Sequence, residues 1–415
     1  MPLTHLTLSD NKNRPRPADL ESSLARLEDW LEWRGFQGND PHDALRSPLV
    51  RALTLNNRWL GVAWVQLFRR SPLDLRRLFG VAAGHNPKGM GLFLAAYVRR
   101  YRVTGERRDR ERIAFFADWL RRNRCPQFQE ASWGYNFDWP NRSFFAPAGT
   151  PTIVNTAFVA HAFLDCHELF GNSEDLETAR SACDFMLRRL SVIEELPGAC
   201  FSYTPLDSRR VHNANMLGAS LLARVGRITG EPHLLARARR AALYTVARQS
   251  ADGSWPYGEG RSERWVDNFH TGFVLTALLD YIRCSEDSSF EESLERGYRF
   301  WRSSFFTRDG LAKHYAGKLY PIDAHAVAQA ILTLLAFSER DPQAAARAFE
   351  LAAWAGVNMQ DESGYFHYQI GRWLRNRIPY IRWSQAWMLR ALAECLARQQ
   401  CHRTFVRIAG GKRCV

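Results

Sequence analysis

The chain has 415 residues, of which 46% are hydrophobic and 24% charged, so it is long enough to bury a large core. The net charge of +13 comes almost entirely from arginine and favours a polyanionic partner: a nucleic acid, an acidic glycan or a membrane surface. The arginines are spread along the chain, and no helix-turn-helix, zinc-finger or ribonucleoprotein motif occurs, so we predict no nucleic-acid partner.

The cysteines and the chain start indicate the compartment. None of the eight cysteines shows CxxC or paired spacing, and several fall in helical patterns as small core residues. The first residues, MPLTHLTLSDNKNRPRP, do not resemble a signal peptide, and no apolar run approaches the roughly 18 residues of a membrane span. These features predict a soluble, cytoplasmic protein without a transmembrane segment.

Helical periodicity runs through the chain from its first element. Leu20, Leu24, Leu27 and Leu31 share one helix face, and residues 86–101, NPKGMGLFLAAYVRRY, form a less charged helical segment. No convincing run of alternating strand residues occurs. The pattern therefore predicts an all-α fold.

A repeat of roughly 55 residues follows from about residue 130 onward. Each copy contains a charged amphipathic helix, a polar and aromatic break, and then an apolar helix. The breaks are SWGYNFDW (132–139), CFSYTPLD (200–207), GSWPYGEG (253–260), AKHYAGKL (312–319) and YFHYQIGR (365–372). Every break contains a tyrosine.

Helical hairpins in series, with less charged helices alternating with more charged ones, are typical of an inner ring packed inside an outer ring. A closed ring of six hairpins leaves no exposed end to cap. We therefore predict an (α/α)6 toroid as a single domain spanning 1–415, with flexible tails at 1–18 and 402–415. In such a ring the five breaks converge on one rim around the central cavity.

Two resemblances fit this fold. The run Gln249-x-x-x-Gly253-x-Trp255, with a weaker copy at Gln360, Gly364 and Phe366, resembles the QW repeat of squalene cyclases, which stiffens a helical barrel. The breaks also look similar to (α/α)-toroid proteins of bacterial exopolysaccharide gene clusters, which implies a role in polysaccharide biosynthesis. The toroid serves many activities, so neither resemblance fixes a reaction.

The rim is predicted to carry the functional residues, since aromatic rings stack on sugar faces and short polar side chains bind hydroxyls. The candidate catalytic residues are Asp138, Tyr257, Asp267, His270, Asp323 and His325. The candidate substrate-binding residues are Trp133, Tyr135, Trp139, Asn155, Tyr203, His212, Asn213, Trp255, Tyr315, Tyr368, Arg372, Tyr380, Arg382 and Trp383.

This set predicts a carbohydrate-active enzyme that acts on a polysaccharide, or its precursor, by acid–base chemistry. Hydrolysis, lyase elimination and uronyl epimerisation all fit, and the positive charge favours an acidic glycan for the last two. The alternatives are a terpenoid cyclase or prenyl-handling enzyme, with Asp323 as its acid, and a non-catalytic glycan-binding module. No GxGxxG or Walker motif occurs, so no cofactor is expected. No metal is predicted either, although His314, Asp323 and His325 together would form a poor zinc site.

Overall fold

The computed structural model describes residues 17–55, 57–140 and 145–410, and it is built from two concentric rings of helices. The outer helices are α1 (Pro17–Trp33), α6 (Arg107–Arg122), α8 (Ser173–Arg189), α10 (Pro232–Val246), α12 (Glu291–Ser304) and α14 (Ala344–Asn358). The inner helices are α5 (Pro87–Thr104), α7 (Ile153–Phe170), α9 (His212–Thr229), α11 (Asn268–Ser285), α13 (Ala324–Ala336) and α15 (Trp387–Gly410). Each inner helix packs against the next, and α15 packs against α5. The predicted (α/α)6 toroid is confirmed.

The ring is closed by the two ends of the described chain. Helix α1 packs against α14 and α15, so it is the outer helix of the sixth hairpin and α15 is its inner partner. The predicted tails, 1–18 and 402–415, overlap the ends of α1 and α15 and otherwise lie outside the described residues.

The difference between the rings follows from the side chains. Inner helix α13 has the sequence AHAVAQAILTLLA, and nearly all of its side chains are buried. Outer helix α12 buries one stripe at helical spacing, Leu294, Gly297 and Trp301, and exposes its charged residues. A helix that is apolar on every side is stable only when other helices surround it, which places α13 and its equivalents inside.

The QW-like motifs join neighbouring outer helices. The Gln249 side chain, just beyond α10, donates from Nε2 to the Ser293 carbonyl of α12 at 3.0 Å and accepts from Ser293 Oγ at 2.9 Å. Gln360, just beyond α14, makes the same pair of bonds to Ser23 of α1. Gly253 has φ +93°, and a Cβ there would lie 2.5 Å from the Arg296 carbonyl oxygen, so this turn requires glycine. The second motif therefore joins the last outer helix of the chain, α14, to the first, α1, and so closes the outer ring.

The tyrosine breaks also have a backbone role. The first amide of α7 donates to the Tyr203 carbonyl, and the first amide of α9 donates to the Tyr257 carbonyl, both at 3.0 Å. The first amide of α13 donates to the Tyr368 carbonyl at 3.1 Å. These three breaks thus satisfy a free N–H at the start of the preceding inner helix, and the His314 carbonyl does the same for α11 in the fourth.

An insertion between α1 and α5 interrupts the regular pattern. It contains α2 (Pro48–Leu53), α3 (Arg58–Arg70) and α4 (Leu75–Leu78), which pack around a small core of their own that includes Val50, Val65 and Phe68. Short antiparallel strands join the loops: β1 (Trp139–Pro140) with β2 (Phe145–Ala146), β3 (Val192–Glu195) with β4 (Gly198–Phe201), and β5 (Ile322–Asp323) with β6 (Gln369–Ile370) and β7 (Arg375–Asn376).

Two buried arginines attach the insertion to the ring. The Arg382 guanidinium, in the π-helical turn Ile381–Ala386 before α15, binds both carboxylate oxygens of Asp40 at 2.6 and 2.8 Å. From the insertion, Arg76 donates to Asp43 at 2.7 Å and to the Tyr380 hydroxyl at 2.9 Å. These contacts hold the insertion over one end of the ring.

Replacing Gln249 with alanine is expected to destabilise the protein by about 1–3 kcal/mol, because the Ser293 hydroxyl and carbonyl lose their partner. Thermal or denaturant unfolding measures the change. The control is Gln343→Ala, which removes an exposed glutamine bonded to Arg347 and is expected to leave the unfolding midpoint unchanged. Equal effects for the two substitutions would contradict the role assigned to the motif.

Candidate functional site

A cavity of about 440 Å³ lies at the end of the ring where the breaks and the insertion meet. Tyr135, Tyr203, Tyr257 and Tyr315, one from each of the first four breaks, line it. The insertion contributes a further wall through α3. The prediction that the separated breaks converge on a common rim is therefore confirmed for these four segments.

The predicted site residues divide into two groups. Those that line the cavity are Tyr135, Trp139, Tyr203, Asn213, Tyr257, Asp267, His270, Tyr315, His325, Arg382 and Trp383. Those that do not line it are Trp133, Asp138, Asn155, His212, Trp255, Asp323, Tyr368, Arg372 and Tyr380.

Asp138 requires a correction. Its Oδ1 accepts from the Ala148 amide at 2.8 Å, and its Oδ2 pairs with the exposed Arg51 guanidinium at 3.1 Å. These bonds hold the loop that carries β1 and β2. Asp138 does not line the cavity, whereas its two neighbours, Phe137 and Trp139, do.

Asp323 is the N-cap of α13, and its carboxylate is saturated. Oδ1 accepts from the amides of His325 and Ala326, and Oδ2 accepts from Gln369 Nε2 at 2.7 Å. Trp383 Nε1 lies 3.1 and 3.2 Å from the two oxygens. This arrangement explains Asp323 as a structural cap and corrects its placement among the catalytic candidates.

The other residues outside the cavity have structural surroundings. The Trp133 and Trp255 indoles donate to backbone carbonyls at 2.9 Å. The Tyr368 and Tyr380 hydroxyls accept from arginines of the insertion. The remaining three are the buried Asn155 and His212, at the starts of α7 and α9, and the exposed Arg372, which lies over the Trp373 ring.

Asp267 and His270 form a dyad at the start of α11. Asp267 caps the helix by accepting the His270 amide at 2.9 Å, and its other oxygen lies 2.7 Å from His270 Nδ1. Because a carboxylate accepts, Nδ1 carries the proton and the basic Nε2 is left free. Burial acts to raise the pKa of Asp267, but the charge and hydrogen bonds of His270 outweigh it and hold the pKa below its usual value. The dyad therefore presents an oriented imidazole to the cavity.

Three further histidines line the cavity: His42, His314 and His325. His325 lies between the Phe269 and Trp387 rings, with centroid distances of 4.4 and 4.5 Å. Burial, followed by the positive charges of Lys88 and Arg382, holds its pKa well below the usual value. Burial likewise lowers the pKa of His42 to about 3 despite the nearby Asp40 carboxylate. Both imidazoles are therefore neutral at neutral pH and able to donate or accept hydrogen bonds.

Three basic side chains that line the cavity, Arg69, Arg70 and Lys88, form no ion pair with a carboxylate among the described residues. Arg69, on α3, has its Nε 3.3 Å from the Tyr368 hydroxyl. Lys88, in the first turn of α5, lies over the Phe158, Phe273 and Trp387 rings at 4.4, 5.3 and 5.3 Å from their centroids. Burial holds the pKa of Lys88 well below its usual value. The unpaired Arg69 guanidinium is suited to bind an anionic group of a ligand.

The carboxylates that line the cavity are already engaged. Glu263 accepts from Arg209 Nε at 2.7 Å, and Asp267 accepts from His270. At the mouth, the Trp265 ring is 40% exposed and stacks in parallel on Tyr257 at 4.4 Å, which leaves one aromatic face available. Such a face is suited to stack on the apolar side of a sugar ring.

No group of three or more His, Cys, Asp or Glu side chains in the described part of the chain is arranged to hold a metal ion. His314 and His325 both line the cavity, whereas the Asp323 carboxylate is turned to its cap and its tryptophan partner. The zinc site considered from the sequence is therefore not formed by these three residues.

Several residues that line the cavity come from outside the breaks and were not among the predicted site residues. His42, Gln66 and Arg69 come from the insertion, Lys88 from the start of α5, and Glu263 from the loop before α11. Only Lys88 had a sequence signal: it follows Asn86 and Pro87, a cap and first-turn proline of a predicted inner helix.

The comparisons with known proteins agree with the fold. No protein-family model and no curated protein matches the sequence. Among solved structures, the GH76 α-mannanase of Bacteroides thetaiotaomicron superimposes with a TM-score of 0.60 at 11% identity, covering 76% of this chain and 87% of that one.

Two epimerases match equally well. Cellobiose 2-epimerase of Bacillus thermoamylovorans gives a TM-score of 0.61 at 12% identity, covering 76% and 88% of the two chains. A sugar epimerase from a ruminal bacterium gives 0.61 at 11% identity, covering 77% and 90%. At these identities the likeness establishes the (α/α)6 fold.

Proposed function

We propose that the protein is a carbohydrate-active enzyme that moves a proton on an acidic saccharide, as a uronyl epimerase or lyase does. The observation that carries this proposal is the dyad of Asp267 and His270, which turns a free imidazole nitrogen into a cavity lined by three more histidines. An imidazole held in one tautomer by a buried carboxylate is a general base suited to neutral pH.

The two carboxylates of the cavity are each bonded to a basic side chain, and this favours proton transfer over glycoside hydrolysis. Glycoside hydrolysis needs one carboxylic acid with a raised pKa and a second free carboxylate. Here the pKa of Asp267 is lowered, and Glu263 is bound to Arg209. The toroid neighbours include two sugar epimerases as well as a mannanase, which is compatible with this choice.

Each step of such a proton transfer has a candidate residue in the cavity. Trp265 stacks on a sugar ring, and the unpaired Arg69 binds the carboxylate of a uronate, which makes the adjacent C–H more acidic. His270 Nε2 removes that proton. Return of a proton from a neutral histidine or from a tyrosine on the other face gives an epimer, whereas loss of the neighbouring glycosidic oxygen gives an unsaturated product.

The terpenoid-cyclase alternative receives less support. It requires a proton donor above an apolar cavity, and its candidate acid, Asp323, is fully bonded to protein groups. The QW-like motifs act between outer helices, where Gln249 bonds Ser293 and Gln360 bonds Ser23. The resemblance to proteins of exopolysaccharide clusters instead supports a polysaccharide precursor as substrate.

The proposed compartment is the cytoplasm. The six cysteines whose side chains are described are all unpaired, as expected in a reducing compartment. None of the helices described is long and apolar enough to cross a membrane.

Product analysis tests the proposal. The protein is incubated with a panel of uronate-containing and neutral oligosaccharides, and the products are analysed by mass, nuclear magnetic resonance and absorbance of a new double bond. The proposal expects an epimer or an unsaturated uronate from an acidic substrate. New reducing ends without a double bond would indicate hydrolysis instead, and unchanged but bound saccharide would indicate a binding module.

Substituting Arg69 with alanine is expected to raise KM for an acidic substrate about tenfold or more, because a charge-assisted hydrogen bond to the carboxylate is lost. Arg77→Ala removes an exposed arginine of the same insertion that does not line the cavity, and its KM is expected to stay unchanged. Steady-state kinetics measures both. An unchanged KM for Arg69→Ala would contradict the assignment of Arg69 to substrate binding.

A further inference from the structure

Helix α3 presents a third face that neither the core nor the cavity uses. Gly61, Val65 and Phe68 are buried in the insertion core, and Val62, Val65, Gln66, Arg69 and Arg70 line the cavity. At 100° per residue the remaining face carries Trp59, Leu60, Ala63 and Leu67. Trp59 is 57% exposed, and Leu67 is 51% exposed. A soluble helix normally turns polar residues to this side.

Further exposed apolar side chains lie next to the C-terminal end of α3. The Ser71 carbonyl, at the end of the helix, accepts a hydrogen bond from Asn376 Nδ2 at 3.0 Å, which fixes the β6–β7 hairpin against it. The tip of that hairpin exposes Trp373 (63%) and Leu374 (66%), and Leu73 beside Ser71 is 71% exposed. We call these side chains together the α3 face; its members are Trp59, Leu60, Leu67, Leu73, Trp373 and Leu374.

The charge around the α3 face is strongly positive. Of the charged side chains of residues 44–81, the exposed ones are Arg51, Arg58, Arg70, Arg77 and one acid, Asp74, and Arg372, Arg375 and Arg377 flank the hairpin tip. Eight of the eighteen exposed large hydrophobic side chains of the described chain fall between Leu49 and Leu78. Apolar side chains ringed by arginine are typical of segments that lie in the headgroup region of an anionic membrane.

The geometry points to docking of the α3 face on an anionic lipid bilayer, with Trp59, Leu67 and Trp373 inserted among the headgroups. At 13 residues, α3 is about 20 Å long and lies on a bilayer without crossing it. A second copy of the chain would bring the same arginines into contact, and like charges disfavour that pairing. The segment 1–16, with Lys12, Arg14 and Arg16 against Asp10, is also basic and is disfavoured for the same reason.

Docking in this way brings the cavity near the membrane surface. What this means for the substrate rests on the function proposed above. The cavity face and the α3 face are adjacent on a single helix, so a docked protein holds its cavity mouth close to the headgroups. A saccharide attached to a lipid anchor would then reach Arg69 without leaving the membrane.

Vesicle flotation tests the docking without any saccharide, so its outcome is independent of the His270 chemistry. The full chain is mixed with phosphatidylcholine vesicles or with vesicles that also contain phosphatidylglycerol. We expect flotation with the anionic vesicles at low salt and partial release as salt is raised. The double variant Trp59→Ser/Leu67→Ser is expected to lower the vesicle partition coefficient at least tenfold, since two apolar side chains no longer insert.

The matched control is Leu196→Ser/Val357→Ser, which replaces two side chains that are 91% and 68% exposed outside the α3 face. This control is expected to float like the unmodified protein, and all variants are expected to unfold at the same temperature. Absence of flotation, or equal flotation of the two double variants, would overturn the inference. Self-association of the free protein that Trp59→Ser/Leu67→Ser abolishes would overturn it in favour of a second copy.

Discussion

Substitution of His270 by alanine is expected to lower turnover on the acidic substrate by about 10²–10⁴-fold, the usual contribution of a general base. Substrate affinity is expected to change little, since Arg69 and the aromatic walls remain. The imidazole is 21% exposed at the cavity surface, so its removal leaves no large void and the variant is expected to stay folded. Steady-state kinetics and thermal unfolding measure the two properties separately.

Two variants serve as controls for His270→Ala. His233→Ala removes a histidine that is 58% exposed and lies at the start of α10, away from the cavity. Asp138→Asn changes the carboxylate that the sequence favoured but that the structure bonds to Ala148 and Arg51. Both are expected to retain turnover. Retained turnover in His270→Ala would remove His270 from the proposed chemistry, and lost turnover in Asp138→Asn would return Asp138 to the catalytic candidates.

A second large effect is expected on stability from Asp40→Ala. This substitution leaves the buried Arg382 guanidinium, which is 4% exposed, without the carboxylate that binds it through two hydrogen bonds. Loss of one partner of a buried ion pair costs about 3–5 kcal/mol. Denaturant unfolding measures the loss, and it is expected to be accompanied by lost activity because Arg382 lines the cavity.

The matched control for Asp40→Ala is Glu111→Ala, which breaks a fully solvated pair between Arg107 and Glu111 on the outer helix α6. No measurable change in unfolding is expected there, since exposed ion pairs contribute little. If the two substitutions shift the unfolding midpoint equally, the insertion is not held to the ring by Asp40 and Arg382.

The fold could be predicted because its signals are local and repeated. The apolar inner helices, the charged outer helices and the tyrosine breaks each recur at a similar spacing, and a repeat in sequence becomes a repeat in space. The spacing of Leu20, Leu24, Leu27 and Leu31 also marked α1, although its partner, α15, lies at the other end of the chain. Local periodicity identifies such a helix but not its neighbour.

The site was less predictable because contacts between segments that are distant in the chain determine which residues reach the cavity. Asp267 and Asp323 occupy equivalent positions before inner helices, and both are caps. They differ because Asp267 also meets a histidine three residues later, whereas Asp323 is bonded by Gln369 and Trp383, 46 and 60 residues further on. No local pattern at Asp323 marks the distant side chains that bond it.

The insertion was beyond sequence reasoning for a related reason. His42 and Arg69 lie outside the repeat, so no periodicity marks them as rim residues. Their position depends on the Asp40–Arg382 and Arg76–Tyr380 contacts, which join residues 342 and 304 positions apart. A buried polar contact over that separation leaves no trace in the composition of either segment.

Solvent deuterium exchange tests the central claim most directly. The protein is incubated in deuterium oxide with a uronate-containing oligosaccharide, and the recovered sugar is analysed by mass and by proton resonance. The account predicts that the carbon next to the carboxylate loses its original hydrogen, which deuterium replaces in an epimer and a double bond replaces in an unsaturated product, and that His270→Ala abolishes both changes. Converted sugar that retains the original hydrogen at that position would show that the four-histidine cavity performs some other reaction.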